Sequence, residues 1–168
     1  DSLMAAIDGW KGIVPVSGWR ALAEQQAIWD GSLAENGLPF TQTYVACPGC
    51  SEHQTGLAID LGLNQGEIDF IRPAFPYEGL CQTFRQTMAQ YGWVQRYPAG
   101  KEAITGIGHE PWHFRYVGQP HAALMAERDL TLEEYIAWIR AFPYEFRRYR
   151  HGNVTLSFLP AAPQGPTV

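Results

Sequence analysis

The sequence has few cysteines, no long apolar run and no excess of basic residues. Its three cysteines cannot form the disulfide framework of a small secreted domain. No apolar run approaches the roughly 18 residues that a membrane-spanning helix needs, and no basic-then-apolar leader opens the chain. The net charge of −5 is spread along the chain, so we expect no nucleic-acid partner. With these classes of protein excluded, we expect one globular domain, which is long enough to bury a sizeable core.

Two of the cysteines lie close together in CPGC, residues 47–50. This spacing is typical of half a zinc ribbon or of a redox pair, but the sequence has no second such pair. Cys81 stands alone in a helical pattern. We interpret the three as structural thiols, or the pair as a local disulfide, with a metal or redox role as the alternative.

The pattern of apolar residues predicts short helices and strands in mixed order. Helical spacing predicts helices over residues 2–10, from residue 20 to about 37, over 67–71 and 80–91, and twice after residue 118. Short β-branched or alternating runs predict strands over 13–16 (an edge strand, because it contains Pro15), 57–61, 93–97, 112–117 and 154–159. Residues 38–52 and 98–108 are predicted loops, and 160–168 a frayed tail. Without βαβ regularity, this order predicts an α+β fold.

The segment SEHQTGLAID, residues 51–60, carries a histidine and an aspartate seven positions apart. A glycine turn and a short apolar run join them, so the imidazole of His53 and the carboxylate of Asp60 can converge. Taken alone, the pair is better explained as a hydrogen-bonded couple than as a metal site. However, a carboxylate within a buried run is costly unless a cation compensates it. A metal ion or an arginine would do so.

A second segment, GHEPWHFRYVG over residues 108–118, offers further groups of this kind. Alone, His113 would be a core or surface histidine and Glu110 a solvated acid. With His53 and Asp60, however, His113 completes the three-residue ligand set of a catalytic zinc site. Glu110 lies three residues before it and would serve as the base. The His-Glu-x-x-His signature of helix-borne zinc sites is absent.

A group of polar and aromatic residues near these segments supplies the remaining candidates. Arg20, at a helix start, could stabilise an oxyanion, although a surface arginine is the commoner case. The candidates for substrate binding could equally be turn and helix-start residues; they are Ser17, Gln25, Tyr44, Ser51 and Trp112.

At these residues the sequence resembles the zinc D,D-peptidases of the VanY, VanX and VanXY group. The likeness lies in residues 51–60, in residues 110–118 and in the upstream VSGWR of residues 16–20, where relatives usually carry Tyr in place of Trp19. It implies an α+β fold with a small antiparallel sheet flanked by helices, of the Hedgehog/D,D-peptidase kind. It further implies one Zn²⁺ per chain, Glu110 as general base and Arg20 as oxyanion stabiliser.

The resemblance implies removal of a terminal D-alanine from D-Ala-D-Ala-ended peptidoglycan peptides, an activity that contributes to vancomycin resistance. A dipeptidase must also satisfy the ammonium of D-Ala-D-Ala, and where some bifunctional relatives have an acid this chain has Ser17. We therefore favour a D,D-carboxypeptidase. A D,D-dipeptidase, an L,D-carboxypeptidase and a non-catalytic zinc-binding or cell-wall-binding module are the alternatives.

The resemblance also bears on domain limits and location. We expect a catalytic domain over residues 1–145, with residues 146–168 attached to it as a C-terminal strand and tail. The expected location is the bacterial cell envelope if an anchor or signal precedes Asp1 in the natural protein, and the cytoplasm otherwise. The sequence does not predict an oligomeric state.

Overall fold

The computed structural model describes residues 1–160. Its contacts group the chain into two compact units, one from Asp1 to Thr131 and one that begins at Leu132. A catalytic domain that ends at residue 145 stays a prediction. No helix within residues 1–160 combines the length and the apolar character needed to cross a membrane.

The first unit contains four strands, five helices and three short 3-10 turns. The strands are β1 (Ile13–Ser17), β2 (Ala58–Leu63), β3 (Trp93–Tyr97) and β4 (Glu110–Tyr116). The helices are α1 (Ser2–Ala6), α2 (Leu22–Tyr44), α3 (Gly79–Met88), α4 (Glu102–Thr105) and α5 (His121–Arg128). The 3-10 turns are Gly9–Lys11, Glu52–Thr55 and Ala89–Tyr91.

The four strands form one antiparallel sheet in the order β1-β2-β4-β3. The strand β1 lies at one edge, as predicted from Pro15, which has no N–H to donate to a second neighbour. The two central strands, β2 and β4, are those that carry Asp60 and His113. The predicted α+β class with a small antiparallel sheet is confirmed.

An aromatic core lies beside this sheet. Phe75, Phe84 and Phe114 are at most 3% exposed, and their ring centroids lie 4.8–5.6 Å apart. Burial of such large apolar side chains is the main favourable term in folding. It fixes β4 against α3 and therefore holds the strand that carries His113. Other buried members of the cluster are Leu3, Met4, Ile13, Leu61 and Cys81.

Two predicted helix limits are wrong in the N-terminal half. The helix predicted over residues 2–10 ends at Ala6, and a 3-10 turn follows after Asp8, which adopts a positive φ of 55°. The helix predicted to end near residue 37 is interrupted at Gly37 (φ 77°, ψ 170°) and then resumes to Tyr44. Pro39 does not stop it, because proline is tolerated in the first turn of a helical segment. The predicted loop therefore begins after Tyr44.

Three later predictions also need correction. Residues 67–71 form no helix, since Asp69 Oδ1 accepts the backbone N–H groups of Ile71 and Arg72 at 2.8 and 2.9 Å. Such local side-chain hydrogen bonds compete with helix formation. The predicted loop over 98–108 contains α4. The last sheet strand begins at Glu110, not at residue 112, so Glu110 lies on the strand.

The second unit contains α6 (Leu132–Ile139) and a two-stranded antiparallel sheet of β5 (Tyr149–His151) and β6 (Val154–Leu156). The strand predicted over residues 154–159 is thus shorter, and β5 was not predicted. Of the predicted tail, residues 161–168 lie outside the described residues.

Candidate metal centre and active site

Strand register brings the predicted metal ligands together. In the antiparallel pair of β2 and β4, Asp60 lies directly opposite His113. Side chains directly opposite each other on one face of an antiparallel pair are close enough to interact. On the other side of β2, Ser17 of β1 also pairs with Asp60. The carboxylate therefore lies in the middle of three adjacent strands.

His53 reaches the same carboxylate from the 3-10 turn Glu52–Thr55. Gly56 ends this turn with a φ of 70°, a conformation that favours glycine. The Nδ1 atom of His53 lies 2.6 Å from the carbonyl oxygen of Gly18, and the backbone N–H of Arg20 donates to the carbonyl of His53 at 3.2 Å. These bonds fasten the turn to the segment after β1 and leave Nε2 of His53 facing Asp60.

The three side chains form a compact, buried donor set. The two Asp60 oxygens lie 3.2 Å from His53 Nε2 and 2.9 Å from His113 Nδ1, and one ligand atom from each residue lies within 4.8 Å of the others. The three residues are 4–8% exposed. Two imidazole nitrogens and one carboxylate oxygen are the donors of a catalytic zinc site. The residues present therefore fit the predicted metal.

The charges of this donor set are strongly coupled. Burial alone would raise the pKa of Asp60, but hydrogen bonds from His113 and His53 outweigh it and lower the pKa to about 2. Burial would lower the pKa of His113, yet its bonds to Asp60 and Glu52 raise that pKa to about 9. In the metal-free protein, a proton on His113 and the more distant guanidinium of Arg20 balance the buried carboxylate of Asp60; a metal ion would take over the role of that proton.

Glu110 lies beside the donor set with a shifted protonation equilibrium. It pairs with Tyr97 across β3 and β4, is 7% exposed, and places Oε2 3.9 Å from His113 Nδ1. Burial, more than the neighbouring charges, raises its pKa to about 7. A carboxylate that gains and loses a proton near neutral pH is suited to general acid–base chemistry.

Arg20 is held in place by two other predicted residues. Its Nη1 donates to Gln25 Oε1 and its Nη2 donates to Ser17 Oγ, each at 2.9 Å, and Nη2 lies 3.9 Å from Asp60 Oδ2. Gln25 is 1% exposed and donates to the carbonyl of Ala46 at 2.7 Å. Gln25 and Ser17 thus contact the guanidinium in the structure, whatever they contribute to substrate binding.

A cleft of about 440 Å³ runs past the donor set. It reaches the predicted residues Tyr44, Ser51 and Trp112, whereas Ser17 is not among its lining residues. Gly108 lets the end of α2 come close, because a Cβ at this position would lie 2.6 Å from a ring carbon of Tyr44. Lining residues that the sequence did not single out include Phe40, Phe70, Ile71, Arg72 and Tyr97.

Glu52 was also missed as a member of the site. Its Oε1 accepts a hydrogen bond from Arg96 at 2.7 Å and forms an ion pair with Arg115 at 3.1 Å, and its other oxygen faces His113. Despite burial, the bond with His113 and the charge of Arg96 lower the pKa of Glu52 to about 2. One signal was available in the sequence: Arg115 lies two residues after His113 and therefore shares its strand face.

The family model and the curated relatives that match this chain point to the same family. The model of the family described as VanY: D-alanyl-D-alanine carboxypeptidase matches residues 4–119. The bifunctional D-Ala-D-Ala dipeptidase and carboxypeptidase VanXYC of Enterococcus gallinarum is 52% identical over 126 residues, which cover 74% of this chain and 66% of VanXYC. The chain thus spans just under two thirds of that relative.

Solved structures agree with this assignment. The vancomycin resistance D,D-dipeptidase VanXYg, in complex with a D-Ala-D-Ala phosphinate analogue, is 52% identical with a TM-score of 0.90; the match covers 96% of this chain and 66% of VanXYg. A VanY D,D-pentapeptidase from a VanB-type resistance cassette, in complex with Zn(II), is 32% identical with a TM-score of 0.62; the match covers 80% of this chain and 78% of that one.

Proposed function

The chain belongs to the VanY family of D-alanyl-D-alanine carboxypeptidases, and from that premise we propose that it is a zinc-dependent D,D-carboxypeptidase. It would hydrolyse the bond between the two terminal D-alanines of peptidoglycan precursor peptides. The observation that carries this proposal is the convergence of His53, Asp60, His113, Glu110 and Arg20 at one cleft.

The proposed zinc ligands are His53, Asp60 and His113. Support comes from the donor types, from their separation of at most 4.8 Å and from the Zn(II) complex of the related VanY. A zinc ion held there supplies Lewis-acid chemistry, since it lowers the pKa of water and polarises an amide carbonyl.

In this proposal Glu110 moves the protons. Its buried carboxylate, with a pKa raised to about 7, accepts a proton from the attacking water. The same oxygen then gives the proton to the amine nitrogen of the departing D-alanine, so that the base is regenerated. Its place 3.9 Å from His113 Nδ1 keeps it beside the donor set.

Arg20 would stabilise the negative charge that develops on the carbonyl oxygen. Two hydrogen bonds, to Gln25 and to Ser17, fix the direction of its guanidinium before substrate binds. Such preorganised donors stabilise a transition state without reorganisation. Apolar side chains in the cleft wall, among them Phe70 and Trp112, would contact the peptide and exclude water.

Loss of the terminal D-alanine would remove the target of vancomycin-type glycopeptides, and we include a contribution to such resistance in the proposal. A second candidate activity is that of a D,D-dipeptidase, favoured by the TM-score of 0.90 with VanXYg. Ser17 argues against it. Its hydroxyl accepts a bond from Arg20 and provides no carboxylate for a dipeptide ammonium.

Three peptides separate these activities. The zinc-loaded protein is expected to release D-alanine from a pentapeptide that ends in D-Ala-D-Ala, and to act more slowly on free D-Ala-D-Ala and on a tetrapeptide. Preference for the free dipeptide would establish the dipeptidase, and preference for the tetrapeptide the L,D-carboxypeptidase. Zinc binding without release of D-alanine from any of the three would leave a non-catalytic module.

A further inference from the structure

Glu52 occupies an unusual position between two arginines and one metal-site histidine. Its Oε1 lies 2.7 Å from Arg96 Nε and 3.1 Å from Arg115 Nη1. Its Oε2 faces Nε2 of His113 at 3.6 Å. Within residues 1–160, neither Oε2 of Glu52 nor Nε2 of His113 has a hydrogen-bond partner at normal distance, although both atoms are buried. Two buried polar atoms that face each other and have no other hydrogen-bond partner indicate a matched donor and acceptor.

The donor can be assigned from chemistry. A carboxylate held by two guanidinium groups can only accept, so the atom that faces it must carry the proton. A neutral imidazole has one N–H and one lone pair. If the proton is on Nε2 of His113, the lone pair is on Nδ1, the atom 2.9 Å from Asp60 Oδ1. Two lone pairs at that distance repel unless a cation lies beside both.

The tautomer of His53 can be assigned in the same way, although its partner is a neutral carbonyl group. Nδ1 of His53 lies 2.6 Å from the carbonyl oxygen of Gly18, which accepts a hydrogen bond from the Nδ1–H group and leaves the lone pair of Nε2 for the metal. The two histidines thus present different nitrogens to the same place. His53 is oriented by a neutral backbone carbonyl, whereas the group that faces His113 is charged.

We propose that Glu52 is a positioning residue that holds the proton of His113 on Nε2 and thereby directs the lone pair of Nδ1 at the zinc ion. This rests on the proposed zinc site. Arg96 and Arg115 fix the carboxylate, and the ring of Tyr97, 5.0 Å from that of His113, packs beside it. Partners of this kind orient metal-bound histidines and increase their basicity.

The test is Glu52→Gln. Both arginines are donors and will keep the amide oxygen of the new side chain on their side. Its NH₂ group then faces Nε2 of His113 and favours the opposite tautomer, with the proton on Nδ1. We expect zinc affinity, measured by competition with a chromophoric chelator, to fall by about 10- to 100-fold. Glu67→Gln, the same change at an exposed position, should bind zinc as the wild type does.

The tautomer can be read in the wild type without any variant. Long-range ¹H–¹⁵N spectra of the zinc-loaded protein should show the proton of the His113 ring on Nε2. A proton on Nδ1 would overturn the proposal even if Glu52→Gln failed to fold. The proposal would also be overturned if a folded Glu52→Gln protein bound zinc as tightly as the wild type.

These outcomes are separable from the proposed function. A wild type that binds zinc with the expected tautomer but releases no D-alanine would contradict the carboxypeptidase and leave the role of Glu52 intact. A wild type that hydrolyses the pentapeptide but carries the proton of His113 on Nδ1 would contradict the role of Glu52 alone.

Discussion

The two walls of the cleft differ in burial and in how they are held. The metal wall, formed by His53, Asp60 and His113, is 4–8% exposed and is fixed by strand pairing and a capped turn. The peptide wall includes Phe70 and Ile71, each 75% exposed, which come from a segment without helix or strand. The proposed metal ligands lie on paired strands or on a turn bonded to the segment after β1, while the side chains proposed to contact substrate lie on a less constrained segment.

The walls also differ in charge. The metal wall and the neighbouring Glu52 form a network of ionisable groups, in which Asp60 contacts His113 and Arg20, and Glu52 contacts Arg115. The exposed part of the peptide wall carries two apolar side chains, Phe70 and Ile71, between the charged Asp69 and Arg72. Substitutions on the first should therefore change zinc binding or turnover, and substitutions on the second should change substrate binding alone. Substitutions on each wall, together with changes of pH and zinc, test this contrast.

The largest effect is expected for His113→Ala. Loss of one of three proposed ligands, and of the partner of Asp60, should abolish stoichiometric zinc and bring peptide hydrolysis below detection. Metal analysis of the purified protein and a D-alanine release assay measure both. His109→Ala, in the loop before β4, is the control and should keep zinc. A His113→Ala protein with full zinc content would contradict the assigned ligand set.

Glu110→Gln should separate metal binding from chemistry. The amide keeps the shape of the side chain but cannot take a proton, so kcat should fall by about 10²- to 10⁴-fold while zinc content stays at one per chain. The exposed Glu102 provides the control substitution Glu102→Gln. Near-normal turnover by Glu110→Gln would show that another group is the base.

Arg20→Ala should act on turnover more than on zinc. We expect kcat to fall by about 10²- to 10³-fold, the range for loss of one oxyanion donor. Ser17→Ala should cost less, because Arg20 keeps its bond to Gln25. If Ser17→Ala were as damaging as Arg20→Ala, Ser17 would have to contact the substrate directly.

Zinc affinity should increase with pH. His113 must lose a proton to bind metal, and its pKa in the metal-free protein is about 9. Apparent affinity should therefore rise about tenfold for each pH unit between 6.5 and 9, as measured by chelator competition. Affinity independent of pH over this interval would contradict a protonated His113 in the metal-free protein.

The raised pKa of His113 also affects the stability of the metal-free protein, which should fall with rising pH while zinc affinity increases. The pKa of His113 is raised from 6.5 to about 9 on folding, so its contribution is fully present below pH 6.5 and is lost as pH rises through 9. Asp60, with a pKa lowered from 3.8 to about 2, contributes above pH 3.8 and loses that contribution as pH falls through 2. The free energy of unfolding, measured once with chelator and once with zinc, should therefore differ increasingly as pH rises above 6.5, because the metal-free protein loses the His113 contribution while zinc binding becomes tighter.

The smallest effect is expected on the peptide wall. Phe70→Ala should raise KM for the pentapeptide a few-fold and leave zinc content unchanged, because the side chain is 75% exposed and offers no ligand atom. Phe146, 83% exposed in the second unit, is the matched control. Loss of zinc in Phe70→Ala would show that the two walls are coupled.

Several parts of the fold were predictable because their signals are local. The strands at residues 13, 58 and 93 follow from β-branched or alternating runs between glycines and prolines, and α3 follows from its apolar spacing. The continuation of α2 beyond Gly37 did not follow, since one glycine and one proline resemble a helix end. The pattern of residues 67–71 predicts a helix, and it does not reveal that the Asp69 carboxylate accepts the backbone N–H groups of Ile71 and Arg72 instead.

The donor types at the centre of this protein can be predicted from local composition, because two histidines, an aspartate and a glutamate lie in two characteristic segments. How these side chains meet depends on the folded chain. Asp60 and His113 are 53 residues apart, and their contact depends on the register of two strands, which local spacing does not encode. The same holds for Glu52, because the arginines that fix it come from two different strands and converge only when the sheet has formed.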